Sequence, residues 1–519
     1  MEIENDLQRE QTESSDSFDH VRAKKNVFIS LICKVLLLLL SIIVRRFLIK
    51  YTGNECNGFN ALFTSIIGFL SIAELGIGTA IIYCMYEPIA NNNKEKVCQL
   101  YCLFKKVYLV IGLIITALGL IILLFLPYLA KDYTDKSLLL ISYVLTLISV
   151  SITYFYSAKM SLVNAYKNNY ISTIITSLGL FVQYALQIIV LIYTKSFIAF
   201  CICKIIASSV QYLLFYIYNN KHYKDIVKEK AKIDDETKKE VTKNVKAMFM
   251  HKIGDVIFST VDSLVISAII SVVVLGYYSN YLLILTSMNE VLKLFIVPLT
   301  SVLGHMGVKA SKEEKLDYFK FFYCINFILG IVFYLGYYSV CTDAVTICFG
   351  ENLELENNLI ILISITYFIQ FMRQSASVFK DSFGLFYKDR WVSIIAAVLN
   401  AVLSIVLALA FDIYGVLIAT IVVDLLIYHI VEPLVLFKYG MNKRPIKYYI
   451  INYTFIAFFT IEVLLFSLIE LNTTNVWLHL LVSGSISLAI NVIPVSLVFI
   501  YKPFRKRVKF LFKKTNNNC

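Results

Sequence analysis

The sequence predicts an all-α integral membrane protein with about 14 transmembrane helices. Hydrophobic residues make up 58% of the 519 positions and charged residues only 16%, and the mean hydropathy is +0.72. Water could not solvate so apolar a chain as one globular domain. The apolar runs are long and rich in Leu and Ile, and a helix needs about 20 such residues to cross a hydrocarbon core of roughly 30 Å. Helices also satisfy their own backbone hydrogen bonds in lipid, so these runs predict helices.

Fourteen apolar runs are long enough to form spans. They cover residues 26–48, 59–86, 107–128, 138–158, 170–193, 197–218, 247–270, 274–303, 318–340, 359–380, 391–411, 414–437, 448–470 and 477–501. The first 24 residues are polar and acidic, so they lack the basic start and short apolar core of a cleavable secretory signal. The first span is therefore expected to remain in the protein as an anchor.

Lys and Arg are concentrated in alternate loops. With the N-terminus placed in the cytoplasm, 37 of the 48 fall in cytoplasmic segments, counting Lys320 and Lys380 at the cytoplasmic ends of their spans, 7 fall within the spans and only 4 in the opposite loops. Because cytoplasmic loops retain Lys and Arg, this count predicts that both termini are cytoplasmic. The basic residues are spread over eight short loops and do not form one surface with stacking aromatics, so the net charge of +12 does not indicate nucleic-acid binding.

The chain repeats itself at a fixed offset of 218 residues. The triplet KNV at 25–27 recurs at 243–245, and Gly112 recurs as Gly330. Six spans separate the two copies, so both copies begin on the same side of the membrane. This predicts two parallel six-helix lobes around a central cavity, followed by two C-terminal helices. Two such lobes, whose cleft can face either side alternately, are typical of transporters.

These features divide the chain into six segments. They are a cytoplasmic N-terminal tail (1–25), an N-lobe with spans 1 to 6 (26–218), a cytoplasmic linker (219–246), a C-lobe with spans 7 to 12 (247–437), spans 13 and 14 (438–501) and a basic cytoplasmic tail (502–519). The linker is strongly charged, and it is expected either to be solvated or to lie on the anionic inner leaflet.

Three stretches carry a resemblance to a known family: KKNVFISLICK, GNECNGFNALFTSIIGFLSIAELGIGTAIIYCMYEPIANNNKEK and FKKVYLVIG. Together with the fourteen-span plan and the six-plus-six repeat, they resemble the bacterial polysaccharide-exporter branch of the multidrug/oligosaccharidyl-lipid/polysaccharide (MOP) flippase superfamily. The likeness is greatest to O-antigen and capsule repeat-unit flippases. The ELGIG stretch and the basic turn after it are the more specific part, whereas the whole superfamily shares the architecture.

The resemblance implies a flippase that moves an undecaprenyl-pyrophosphate-linked oligosaccharide from the inner to the outer leaflet of the bacterial cytoplasmic membrane. Alternating access would carry out the transfer, and the product would serve cell-surface polysaccharide biosynthesis. The expected partners are this substrate, membrane lipids and a polysaccharide polymerase or other assembly protein. No cofactor or metal is expected, and H⁺ or Na⁺ coupling stays open.

Two other functions within the superfamily also stay open, a lipid II flippase and a cation-coupled multidrug antiporter. An enzyme is not expected, because the outer loops are short and the sequence contains no P-loop, nucleotide-sugar motif or catalytic carboxylate pair on a soluble segment. Several cations within the spans favour an anionic substrate over a cationic drug.

Seven cations in the spans are candidates for binding a pyrophosphate, since a charge within a membrane is costly unless it faces protein or water. They are Lys34, Arg45, Arg46, Lys204, Lys252, Lys293 and Arg373. Arg offers a planar fork to a phosphate and Lys a point charge. Lys34 and Arg45 are eleven residues apart and therefore return to nearly the same helical face. The alternative for Arg45 and Arg46, near the outer end of their span, is to reach the membrane interface. The same alternative stays open for Lys34, near the cytoplasmic end of that span, and for Arg373.

Five acids in the spans are candidates for ion coupling or for pairing with these cations: Glu74, Asp255, Asp262, Glu290 and Asp424. Lys252, Asp255 and Asp262 lie along one polar face of the seventh span. Lys252 with Asp255, and Glu290 with Lys293, also have the spacing of ion pairs within a helix.

Glu74 lies near the middle of the second span, where a charge is most costly. Gly76 and Gly78 follow it, and they permit a neighbouring helix to approach or the helix to bend. We expect Glu74 to face the interior of the first lobe. There it either pairs with a cation such as Lys34 or Arg45, or exchanges a proton or a sodium ion.

Overall fold

A computed structural model describes the backbone of residues 2–74, 77–130, 132–133, 135–228, 254, 256–385, 388–471, 473, 475–500, 504–505 and 507. Side chains are described from residue 29 onward, except those of residues 73, 79, 80 and 294–309. Contacts divide the chain into two compact units, Met1–Lys252 and Ile253–Cys519.

Helices joined by short turns make up the described residues of the first unit. These are α1 (Glu2–Leu70), α2 (Ile77–Ala90), α3 (Lys94–Leu129), α4 (Lys136–Ala165), α5 (Asn169–Thr194), α6 (Phe197–His222) and the short α7 (Lys224–Lys228). Gly53 interrupts α1 with a φ of +86°, a backbone conformation that glycine adopts at little cost. The break separates the first predicted span from the second, whose described residues form the end of α1, a 3₁₀ turn at Ser71–Glu74 and α2.

The second unit is also helical in its described part. Its helices are α8 (Val256–Ile270), α9 (Val272–Lys309), α10 (Lys312–Phe349), α11 (Asn357–Ser382), α12 (Val392–Val423), α13 (His429–Val435), α14 (Ile446–Phe466) and α15 (Val476–Ile500). Three segments are π-helical: Ile266–Ile270 at the end of α8, and Asp424–Tyr428 and Leu436–Met441 on either side of α13.

Nine helices among the described residues are long and apolar enough to cross a membrane, with Val392–Met441 counted as one. Each predicted span overlaps described helix, although residues 75–76 of the second span, 247–253 and 255 of the seventh and 501 of the last lie outside the described residues. The first span and the start of the second lie in α1 on either side of Gly53, and the eleventh span and the start of the twelfth lie in α12 on either side of Phe411–Asp412. The prediction of an all-α, multi-pass membrane protein is therefore confirmed.

Helices pack closely within each unit. In the first unit α4 packs on α3 and α6, and α5 packs on α1 and α6; in the second, α10 packs on α11, α14 and α15. A methyl group added to Gly112 would lie 2.9 Å from Cβ of Tyr154, and one added to Gly330 would lie 3.0 Å from the Phe371 ring. Both glycines, which the repeat aligns, thus permit a close approach of neighbouring helices, α3 to α4 and α10 to α11.

Candidate functional site

Lys204 lies in α6 and contacts α1 within the first unit. Its Nζ donates a 2.7 Å hydrogen bond to Oδ1 of Asn60 and lies 5.6 Å from the centroid of the Phe200 ring. The side chain is partly buried, and no carboxylate of the described residues lies within ion-pair distance of it. Its acceptor is a neutral amide, so none of the described residues neutralises the positive charge locally. A cation in such a setting can attract an anionic ligand.

The three predicted cations of α1 differ in their surroundings. Arg45 is partly buried, and its guanidinium interacts electrostatically with Tyr184 of α5. Lys34 and Arg46 are exposed, and both make contacts with other residues. Of the three, the structure therefore places only Arg45 against the interior of the first unit.

Glu74 is the last residue of the 3₁₀ turn between α1 and α2. Its side chain is partly buried and lies close to the hydroxyl groups of Tyr108 on α3 and Tyr154 on α4, with which it interacts electrostatically. The sequence suggested Lys34 or Arg45 as partners, whereas the structure gives this carboxyl group two phenols. Phenols can hydrogen-bond a carboxyl group in either protonation state. Glu74 is therefore held inside the unit by an arrangement that is compatible with proton exchange.

Asp262 in α8 belongs to an oxygen-rich group of side chains in the second unit, the Asp262 cluster (Asp262, Asn400 and Thr420). Asn400 Nδ2 donates a 3.2 Å hydrogen bond to the carboxylate, and Thr420 Oγ1 donates one of 3.1 Å. Ser404 lies one turn beyond Asn400 and is buried, and its hydroxyl has no hydrogen-bond partner among the described residues. Carboxylate, amide and hydroxyl oxygens are the ligands that hard cations prefer. The cluster suits a proton or a monovalent cation such as Na⁺.

A second group, the buried charge network, comprises Arg373, Lys380, Asp389 and Glu432. Glu432 accepts two 3.0 Å hydrogen bonds from Arg373 and one of 3.1 Å from Lys380. Lys380 is also ion-paired with Asp389, and the Arg373 guanidinium lies 3.3 Å from the centroid of the Tyr428 ring. Lys380, Asp389 and Glu432 are each at most 6% exposed. These two cations and two buried anions balance one another, and the half-exposed carboxylate of Asp381 also lies 3.8 Å from Lys380 Nζ. Protein groups therefore already engage Arg373.

Asp424 begins the π-helical turn after α12 and is fully buried. Its carboxyl group lies near Gln370 and Arg373 but makes no hydrogen bond of ordinary length to the described residues. It also interacts electrostatically with Asp262. The structure therefore brings Asp262, Arg373 and Asp424, which the sequence placed on three separate spans, into one polar region of the second unit. Single turns of π-helix within α-helices are frequent at functional sites.

The remaining predicted residues lie elsewhere. Lys293 donates a 2.7 Å hydrogen bond to Glu290 within α9, and the two side chains are 55% and 43% exposed. This is the ion pair that their spacing suggested, at an exposed position. Lys252 and Asp255 lie outside the described residues, so their predicted pairing stays a prediction.

Sequence reasoning missed three members of the buried charge network. Glu432 carried a usable signal, since it is an acid within the twelfth predicted span and Pro433 follows it. Lys380 ends the tenth span and Asp389 lies in the loop after it. Charges at such positions are usually solvated, so nothing in the pattern marks these two as buried.

Comparisons with known proteins find relatives in fold but not in sequence. No protein-family model matches the chain, and no curated protein matches it. Among solved structures, it resembles the lipid II flippase MurJ in an inward closed conformation, with a TM-score of 0.65, 16% identity and coverage of 91% of this chain and 99% of that one. It resembles an inward-facing multidrug resistance MATE family transporter of the MOP superfamily, with a TM-score of 0.61, 14% identity and coverage of 83% and 98%.

A third similar structure is a single-residue mutant of the Vibrio cholerae MATE transporter VcmN, with a TM-score of 0.51, 15% identity and coverage of 82% and 98%. At these identities the likeness shows the fold alone. The chain thus has the fold of a lipid II flippase and of multidrug transporters of the MOP superfamily. The expected all-α, multi-span fold is confirmed, while the transport role, the exporter branch and its substrate stay predictions.

Proposed function

We propose that this chain is a flippase that moves undecaprenyl-pyrophosphate-linked oligosaccharide repeat units from the inner to the outer leaflet of a bacterial cytoplasmic membrane. The transfer would occur by alternating access and serve O-antigen or capsule biosynthesis. The fold shared with a flippase and with MATE transporters supports a transporter, and the exporter-like stretches of the sequence support the branch. The observation that carries the substrate class is Lys204, a partly buried cation whose acceptor is a neutral amide.

The chemistry of the substrate explains why such a lysine matters. A pyrophosphate cannot enter hydrocarbon without groups that replace its hydration. An ammonium group has three N–H donors, and Lys204 uses one of them on Asn60, so two remain for phosphate oxygens. Arg45 in the same unit offers the planar fork that suits a phosphate. A cationic drug would be repelled by the same groups, which favours the flippase over the multidrug antiporter.

Ion coupling is proposed for the second unit. The Asp262 cluster supplies the carboxylate, amide and hydroxyl oxygens that would hold H⁺ or Na⁺, and Asp424 adds a second buried carboxyl group that interacts with Asp262. Glu74 is the corresponding candidate in the first unit. A bound ion would neutralise the carboxylate and so remove the cost of keeping it within the membrane.

The test is lipid transfer in reconstituted vesicles. A fluorescent undecaprenyl-pyrophosphate-linked oligosaccharide is incorporated with the protein, and a membrane-impermeant quencher measures the fraction that reaches the opposite leaflet. We expect Lys204→Ala to slow transfer by about thirtyfold or more, since truncating one side of a buried charged contact costs about 2–5 kcal/mol. Lys204→Arg keeps the charge and should retain more of the rate.

Lys159→Ala is the matched control. It removes the same charge from the same unit, where Lys159 lies 4.8 Å from the centroid of the Tyr212 ring, and it should transfer the lipid like the wild type. Equal rates for wild type and Lys204→Ala would refute the assignment. Transfer of lipid II in preference to the oligosaccharide lipid would replace the proposed substrate with the alternative one.

A further inference from the structure

A large groove runs between α10, α14 and α15 in the second unit, and we call it the C-terminal groove. Its volume is about 1040 Å³, at the upper end of the range of about 300–1,000 Å³ typical of small-molecule pockets. Apolar side chains of all three helices line it, among them Phe327, Phe455, Phe458 and Leu497. The groove therefore has the size and the surface to accept extended hydrocarbon.

The hydroxyl group of Tyr323, which lines the groove, is hydrogen-bonded to buried residues behind it. The Tyr323 hydroxyl donates a 2.8 Å hydrogen bond to Oδ1 of Asn452, and Asn452 Nδ2 is hydrogen-bonded to His429 Nδ1 at 3.0 Å. Asn452 and His429 are both buried. Because these partners satisfy the hydroxyl, Tyr323 presents its ring to the groove, where Phe455 stacks on it at a centroid distance of 5.7 Å.

One end of the groove is strongly basic. Lys320, Lys443, Arg444 and Lys447 line it, and the last three are exposed. No carboxylate in the described part of the chain is paired with any of these four. They lie near the first turns of α10 and α14, which begin on the side that the Lys and Arg count predicts to be cytoplasmic. The basic end is therefore placed to meet the head groups of that leaflet.

The length of the groove matches one leaflet. On α14 the lining runs from Ile446 to Phe458, roughly 18 Å of helix. Half of a hydrocarbon core of about 30 Å is about 15 Å. A ligand with an anionic head at the basic end and hydrocarbon along the aromatic walls would thus lie as a lipid of the cytoplasmic leaflet lies.

We propose that the C-terminal groove binds an acidic glycerophospholipid of the cytoplasmic leaflet, with its phosphate on Lys320, Lys443, Arg444 and Lys447 and its acyl chains along the faces of α10, α14 and α15. Basic pockets between transmembrane helices on this side of a membrane are a known mode of binding acidic lipids. The bound lipid fills the space between α10 and the last two helices. This binding does not depend on what the protein transports.

Native mass spectrometry of the whole, delipidated protein in detergent tests the proposal. Dioleoyl phosphatidylglycerol and dioleoyl phosphatidylcholine, which carry the same acyl chains, are titrated separately. We expect phosphatidylglycerol to bind more tightly to the wild type, and the variant K443Q/R444Q/K447Q to bind it at least about tenfold more weakly, because each Lys or Arg near a lipid surface contributes to the attraction. Binding of phosphatidylcholine should change little.

Two further variants keep the result interpretable. K94Q/K105Q/K106Q removes three exposed lysines from the first turns of α3 in the first unit and should bind phosphatidylglycerol like the wild type. Thr454→Trp places an indole in the groove without changing charge, and it should weaken the binding of both lipids. A melting curve in detergent checks that each variant is folded.

The proposal would be overturned if the two lipids bound equally well, or if K443Q/R444Q/K447Q bound phosphatidylglycerol as tightly as the wild type. It would also be overturned if undecaprenyl phosphate bound the protein more tightly than phosphatidylglycerol and displaced it. That result would assign the groove to the polyprenyl carrier.

Discussion

At the scale of single residues, Glu432 holds together the two cations of the buried charge network. Glu432→Gln leaves Arg373 and Lys380 without their shared carboxylate, and removing one partner of a buried ion pair typically costs about 3–5 kcal/mol. We therefore expect a large fall in the free energy of unfolding. The measurement is a thermal or denaturant unfolding curve of the purified protein in detergent.

Glu290→Gln is the matched control for this prediction. It makes the same chemical change in an ion pair whose side chains are about half exposed, and such pairs contribute about 0–1 kcal/mol. Its unfolding curve should lie close to that of the wild type. Indistinguishable curves for the two variants would mean that Glu432 is solvated and that the network is not buried.

The Asp262 cluster leads to a prediction about coupling instead of stability. Asp262→Asn keeps a side chain of similar size but removes the negative charge that would hold a cation. If H⁺ or Na⁺ drives transfer through this cluster, the gradient that accelerates wild-type transfer should have no effect on the variant. The readout is the initial rate of lipid transfer in vesicles with an imposed pH or Na⁺ gradient, with Glu290→Gln as control. An unchanged response in Asp262→Asn would remove the cluster from the coupling mechanism.

The charged side chains show how far single positions could be predicted. A charge within an apolar run must meet protein or water, so Lys204, Asp262 and Asp424 could be marked without a structure. Their partners could not, because Asn60 lies 144 positions from Lys204 and is an ordinary polar residue of a helix. Hydrogen bonds of this kind depend on which helices are neighbours, and the sequence pattern does not determine that.

At the scale of helices, the turn between the eleventh and twelfth spans depends on Gly415. The chain reverses within α12 at Phe411 and Asp412, and Asp412 has a φ of +50°. A methyl group on Gly415 would collide with the backbone carbonyl of Leu407, which cannot rotate away. We expect Gly415→Ala to destabilise the protein by about 1–3 kcal/mol, the usual range for overpacking, as measured by unfolding in detergent.

Gly336→Ala provides the comparison for Gly415→Ala. Gly336 lies within α10, and a methyl group there would meet nothing within 4 Å. Since alanine is favoured over glycine within a helix by about 0.5–1 kcal/mol, this variant should be as stable as the wild type or slightly more stable. Equal destabilisation by the two substitutions would show that the turn is not closely packed.

Span positions followed from hydropathy, because about 20 apolar residues are required wherever a helix crosses the membrane. The interruptions of the helices did not follow from it. The 3₁₀ turn at Ser71–Glu74 and the three π-helical segments lie in or at the end of apolar runs, and none of the four contains a proline. These irregular turns adjust a helix to its neighbours, so packing within the folded unit determines them. Glu74 and Asp424 both lie in such turns, which is why the sequence could place them on a span but not give their environment.

At the scale of the whole molecule, the two compact units differ in their electrostatics. The first unit holds a partly buried lysine with a neutral acceptor, while the second holds a balanced network of two cations and two anions beside two carboxyl groups, those of Asp262 and Asp424. A lysine that is not ion-paired with a described carboxylate can bind an anionic substrate. The cations of the buried charge network are already ion-paired with carboxylates and cannot do so without breaking those pairs. The proposed function accordingly assigns phosphate binding to the first unit and ion exchange to the second.

The orientation of the chain gives a prediction for the molecule as a whole. Moving Lys or Arg across a membrane is costly during insertion, so the 37 basic residues of one set of loops should stay in the cytoplasm and the 4 of the other set should not. In a variant without native cysteines, Glu351→Cys should react with a membrane-impermeant maleimide on intact cells. Lys94→Cys should react only after the membrane is permeabilised. Both positions are exposed, so the side of the membrane on which each lies decides whether it reacts. Labelling of Lys94→Cys on intact cells would show that the topology is the opposite of the predicted one. The basic end of the C-terminal groove would then face the outer leaflet.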